Sequence, residues 1–157
     1  MTTDAPQVPR HDPRISAWRT FLEAHARVVR ELERELQAEA DLPLTHYDVL
    51  FQLSRADERR LRMSELADRL LLSRSGVTRL VDRLVADGLV ERVSCDSDRR
   101  GAWASLTDAG YRRLRAAAPI HLRGVAAHFL DRLGADELDE LDRLLRRVTD
   151  GAAPHRG

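Results

Sequence analysis

The sequence predicts a mainly α chain with a small β-hairpin: a helix-turn-helix with a hairpin wing, carried between long helices that pair two copies. Three observations lead there. Apolar residues recur at three- and four-residue steps through most of the 157 residues, the period of amphipathic helices. Between Ser64 and Gly110 two short helical patterns joined by a tight turn give way to two alternating, strand-like runs. The first helix and the last two carry more apolar surface than a small lobe can cover, and such faces usually mark an interface.

In chain order, residues 1–11 form a polar, proline-containing arm, expected to be loose. Asp12-Pro13 opens a helix, with Asp as N-cap and Pro at the first helical position. Ile15, Trp18, Leu22, Val29, Leu32 and Leu36 carry it to about Ala40. Pro43 breaks the pattern, and Thr45 is expected to cap a second helix through Val49, Leu50 and Leu53, with an exposed loop at Arg55 to Arg62. Ser64 to Leu71 reads as a short bracing helix that gives Leu66, Ala67 and Leu70 to a shared core. Leu89–Ser94 and Ala102–Leu106 read as paired strands. Thr107 opens a helix to Leu133 that should kink at Pro119, and Asp136 to Val148 forms the last, with Leu138, Leu141, Leu145 and Val148 inward. The expected division is one domain over 12–150, with a winged helix-turn-helix lobe at 45–106, dimerisation helices at 12–40 and 107–149, and a tail at 151–157.

The helix after the tight turn carries the functional signal. Ser73 suits its N-cap, and Gly88 stands where a left-handed residue closes a helix. Val77, Leu80, Val81, Leu84 and Val85 form one apolar stripe, while Arg74, Ser75, Thr78, Arg79, Asp82 and Arg83 occupy the opposite face. Arginine can approach phosphates or the acceptor edge of guanine, and short hydroxyls let backbone come close to a groove. A solvated amphipathic helix would look similar by itself. The hairpin beside it, with Arg99 and Arg100 at its tip, extends the basic edge and could probe a narrow, electronegative minor groove. Asp98 is expected to hold the tip rigid by accepting from Arg92 or a neighbouring amide.

LRMSELADRLLLSRSGVTRLVDRLVADGLVERV followed by DSDRRGAWASLTDAG resembles the winged helix-turn-helix of the multiple-antibiotic-resistance regulator (MarR) family. Asp98, Arg99, Arg100, Leu106, Thr107 and Gly110 match that family's wing signature, and Leu44-Thr45 with Tyr47-Asp48-Val49-Leu50 resembles the start of its second helix. The likeness runs from about Trp18 to Val148. It implies a homodimeric transcription regulator, usually a repressor, that binds an inverted-repeat operator in double-stranded DNA and leaves it when a small molecule binds or a thiol is oxidised. By the same resemblance Arg100 enters the minor groove, Asp98 orders the wing, and Ser75, Thr78 and Arg79 lie at the major groove. It also puts a small-molecule effector at the junction of the two regions, where Trp18, His25, Tyr47 and Phe51 are candidates beside the plainer role of core packing.

Composition narrows the alternatives. Acids and bases balance at 26 each, so affinity for nucleic acid must come from a local patch rather than a global field. That disfavours an architectural protein coating DNA without operator choice, one of two rival readings; the other is a protein-interaction module that has lost DNA readout. No phosphate loop or nucleophile setting suggests an enzyme, and no cofactor is expected. His121 and His128, seven apart, with His25 and His46 elsewhere, are better read as polar-face histidines than as metal ligands. The single cysteine, Cys95, rules out an internal disulfide, and Asp96 and Asp98 beside it disfavour a reactive thiolate. No membrane-length apolar run or signal core is present, so the cytoplasm is the expected location.

Overall fold

The structure is a computed structural model that describes residues 12–94 and 102–150. The expected loose arm, the tail and the hairpin tip with Cys95, Asp98, Arg99 and Arg100 lie outside the described residues. Helix α1 (Pro13–Ala40) starts as its sequence dictates, the Asp12 carboxylate accepting the Arg14 N–H at 2.9 Å. Helix α2 (Leu44–Ser54) follows Pro43 without a side-chain cap of its own. Thr45 is therefore not the cap: the first-turn Leu44 N–H donates to Glu33 Oε2 of α1 at 2.7 Å, so a neighbouring helix satisfies the orphan donor.

The segment expected as an exposed loop contains a strand instead. After a 3₁₀ turn at Asp57–Arg59, β1 (Arg60–Arg62) pairs antiparallel with β3 (Ala102–Leu106), which also pairs with β2 (Val90–Ser94). The sheet has three strands in the order β1-β3-β2, and Leu61 turns inward, buried against the core. Helices α3 (Met63–Leu70) and α4 (Arg74–Ala86) lie between β1 and β2 in sequence. Leu66 and Ala67 of α3 meet Val77, Leu80, Val81 and Leu84 of α4 in one core, completed by α2, the inward face of the sheet, Leu32 and Leu36 of α1, and Leu114 and Ala117 of α5.

Helix α5 (Asp108–His128) runs through Pro119 as one element. It stops before the expected Leu133, because Phe129 leaves helical geometry (φ −132°, ψ −63°) and a 3₁₀ turn follows at Leu130–Arg132. Helix α6 (Ala135–Asp150) contains no buried residue. Leu138, Leu141 and Leu145 are half-buried, but Val148, expected inward, is 71% exposed, because nothing among the described residues packs over the end of the helix. The amino-terminal half of α1 is bare as well, with Trp18 at 55% and Phe21 at 46%.

One contact ties these parts together. Thr107 caps α5 by accepting the Gly110 N–H at 3.0 Å, while its hydroxyl donates to the Gly88 carbonyl at 2.8 Å and its own N–H to the Leu89 carbonyl at 3.2 Å. Gly110 lies so near that a Cβ there would sit 2.0 Å from the Leu89 carbonyl oxygen and 2.7 Å from Leu106 Cδ1. Neither obstacle can yield cheaply, one being backbone and the other packed core. Gly110→Ala is accordingly expected to cost about 3 kcal/mol or more of unfolding free energy, an overpacking penalty at the upper end of the usual range. Denaturant unfolding of the variant beside the parent measures it.

Candidate nucleic-acid interface

The turn between α3 and α4 is short and exposed. Leu71 ends α3 in the left-handed region (φ 53°), its N–H and that of Leu72 returning to the Asp68 and Ala67 carbonyls. Ser73 then starts α4, its hydroxyl accepting the Gly76 N–H at 3.1 Å. At the other end Asp87 is the C-cap and Gly88 follows at φ 72°, the left-handed conformation that glycine adopts without a steric cost.

Helix α4 divides into two faces. Val77, Leu80, Val81 and Leu84 are buried, whereas Arg74, Ser75, Thr78, Arg79, Asp82 and Arg83 are all exposed. Val85 departs from the expected stripe and stands 37% exposed, because the core beneath α4 is narrower than the apolar pattern. Helix α3 and the sheet hold the buried face, so the outward groups are presented by an element locked on three sides. The wing is fastened to the same helix: the Arg92 guanidinium of β2 donates to Asp82 Oδ1 at 2.8 Å. Arg92 thus has Asp82 as a partner, while Asp98, expected to accept from it, lies outside the described residues.

Two basic groups of β1 that the sequence reading passed over lie on the sheet, and one of them, Arg62, borders this face together with Arg92. Arg60 and Arg62 of β1 flank the Trp103 ring, their guanidinium carbons 5.3 and 5.1 Å from its centre. Arg92 of β2 joins Arg62, Arg74 and Thr78 around a cavity between the helices and the wing. The missing signal was strand pairing, since β1 becomes a strand only by meeting β3.

The four candidate effector residues do not converge. Trp18, Phe21 and His25 stack along α1, with ring centres 6.1 and 6.5 Å apart. His25 and Phe21 line an apolar cavity of about 760 Å³ with Val29, Phe129, Leu141 and Leu145. Tyr47 and Phe51 form a second group on α2, and Tyr47 stacks on His121 of α5 at 4.4 Å. Helical spacing put each pair on one helix but could not say which helices meet. The histidines of α5 have separate roles, since His128 bonds Glu35 at 2.8 Å while His121 faces Tyr47. Among the described residues no group of three or more potential ligands gathers for a metal. No helix among them is long and apolar enough to cross a membrane.

Burial sets the acid–base behaviour near this junction. It lowers the pKa of His46 and His121 below the ordinary imidazole value, with Asp87 and Glu33 partly opposing the shift at His46. For Asp48 burial first, and then Glu33, push the carboxyl above the ordinary range. A depressed imidazole pKa means that the unfolded chain binds more protons as pH falls through the ordinary histidine range, so stability declines with acidification there. Asp48 acts in the opposite sense, which makes a comparison of variants the cleaner test. His121→Phe keeps the aromatic stack and removes one titration. Its melting temperature should fall less than the parent's between pH 8 and pH 5.5, and parallel curves would contradict the assignment.

Comparison with known proteins gives a consistent result. A family model for the MarR family matches residues 40–101. AbsC, a MarR family transcriptional regulator from Streptomyces coelicolor, is 36% identical, with a TM-score of 0.84 over 92% of this chain and 97% of that one. A second MarR family transcriptional regulator from the same organism, solved in complex with DNA, is 35% identical, with a TM-score of 0.86 over 98% of this chain and 95% of that one. The transcriptional repressor MprA of Escherichia coli is 30% identical over 104 residues, 66% of this chain and 58% of MprA. The chain therefore spans little more than half the length of that curated relative.

Proposed function

The chain belongs to the MarR family of transcriptional regulators, and on that footing we propose that two copies of it bind an inverted-repeat operator in duplex DNA and repress transcription until a small molecule releases them. One observation carries the DNA reading: α4 buries Val77, Leu80, Val81 and Leu84 in the core while offering Ser75, Thr78 and Arg79 outward. In this reading those three enter the major groove. Arg74 and Arg83 serve the flanking phosphates, Ser73 closes the helix start against the backbone, and Arg99 and Arg100 reach the minor groove with Asp98 ordering the tip. Arginine forks suit guanine's paired acceptors, and phosphate contacts set the register.

What the described residues leave bare supports pairing of two copies. Trp18, Phe21 and Leu22 on α1, Leu122 on α5, and Leu144 and Val148 on α6 are exposed. The apolar cavity between α1 and α6 continues the same surface. A second copy presenting the same helices is the occupant that covers all of it, and two-fold pairing places two recognition helices about 34 Å apart, one turn of duplex. For the effector, Phe51 offers an exposed ring beside Tyr47 and His121. Such a molecule releases DNA only if it binds the incompetent spacing of the two lobes more tightly than the competent one.

Two measurements test this reading. Equilibrium sedimentation should give twice the 17.8 kDa chain mass, and Val148→Arg with Leu122→Arg should shift the mass toward one chain. Arg79→Ala should weaken binding to the protein's own upstream region by about 1–3 kcal/mol while leaving random duplex nearly unaffected. A monomeric parent removes the operator geometry, and equal losses on both DNAs remove Arg79 from base reading.

A further inference from the structure

From the groove geometry we infer that the cavity between α3, α4 and the wing is the seat of one DNA phosphate, with Arg62 its principal clamp. The inference rests on the DNA reading proposed above. Five polar side chains line a space of about 390 Å³: Arg62 from β1, Ser64 from α3, Arg74 and Thr78 from α4, and Arg92 from β2. They come from four elements, so only the tertiary fold assembles them. Three guanidinium-bearing residues and two hydroxyls make a donor set matched to a phosphodiester, whose non-bridging oxygens accept from a planar fork at two points.

Duplex geometry says why a phosphate belongs there. A single sugar-phosphate strand separates the major groove from the adjoining minor groove. A helix in the first and a hairpin in the second must straddle that strand, and the space between helix and hairpin is where the strand runs. In this protein that space is the cavity. Its walls are firm: Trp103 lies under Arg62 at 5.1 Å, Asp82 holds Arg92 at 2.8 Å, and the Arg62 N–H donates to Glu65 Oε2 at 3.1 Å. Arg92 is thereby steadied rather than lost, since a guanidinium has five N–H donors in a fork.

A phosphate clamp has a signature different from a base reader. Titration of the protein's own upstream region and of a random duplex, each across a salt series, separates the two. Arg62→Ala should weaken both DNAs by the same factor, about tenfold, and reduce the slope of log affinity against log salt by about one. Arg62→Lys should keep the slope while losing part of the affinity. Arg92→Gln, which can still bond Asp82, should lower the slope as Arg62→Ala does, so the conclusion does not hang on one variant's folding. Unchanged slopes in Arg62→Ala and Arg92→Gln at the parent's melting temperature overturn the clamp, as does a loss confined to the upstream region. If the parent itself binds no duplex, the DNA reading falls and takes the clamp with it, an outcome distinct from failure of the clamp alone.

Discussion

The architecture turns on the crossing point where Thr107 and Gly110 meet Gly88 and Leu89. The end of the recognition helix, the start of β2, the end of β3 and the start of α5 all converge there. The hydrogen bonds of Thr107 are individually worth only about 1 kcal/mol, but the constraint is chiefly steric. With the Leu89 carbonyl packed against the bare Cα of Gly110, the start of α5 abuts the chain that leaves α4. A shift of α5 at this point would press on the chain that leaves α4. In the proposed function this is the mechanical link that lets an event among the flanking helices alter the separation of two recognition helices without unfolding either lobe.

The rest of the molecule divides into a finished part and an unfinished one. The core joins α2, α3, α4, the sheet, the carboxy-terminal half of α1 and the first turns of α5, and none of its buried residues comes from α6. Apolar burial contributes about 25 cal/mol per Å² removed from water, so α6 and the front of α1 gain little from folding within one chain. Their amphipathic pattern makes sense as half of an interface. The two parts also differ in chemistry: the lobe presents arginines and hydroxyls, whereas the flanks present Trp18, Phe21, Leu122 and Val148. A chain of zero net charge can thus carry a cationic surface on its lobe and an apolar one on its flanks.

Features fixed by local chemistry were legible in the sequence. Asp12-Pro13, Ser73, Gly88 and Thr107 act where capping rules place them, because each cap involves atoms within a few residues. The buried face of α4 was legible for the same reason. What stayed hidden depends on distant partners. Arg60-Leu61-Arg62 holds one apolar residue and reads as loop until β3 arrives to pair with it. Thr45 looked like a cap because nothing in the sequence reveals that Glu33, eleven residues before Leu44, supplies the acceptor. Trp18 and His25 were separated from Tyr47 and Phe51 by the way α1 lies on α5, which helical periodicity does not encode. The basic cavity was missed because its side chains come from segments that are neighbours only after folding.

Helix and wing acting as one unit, repeated by two-fold symmetry, can be read from cleavage footprinting on the upstream duplex. The expected pattern is two protected major-groove patches centred about ten base pairs apart, each flanked by a protected minor groove on its outer side. A single patch, or uniform protection with no groove periodicity, would contradict it.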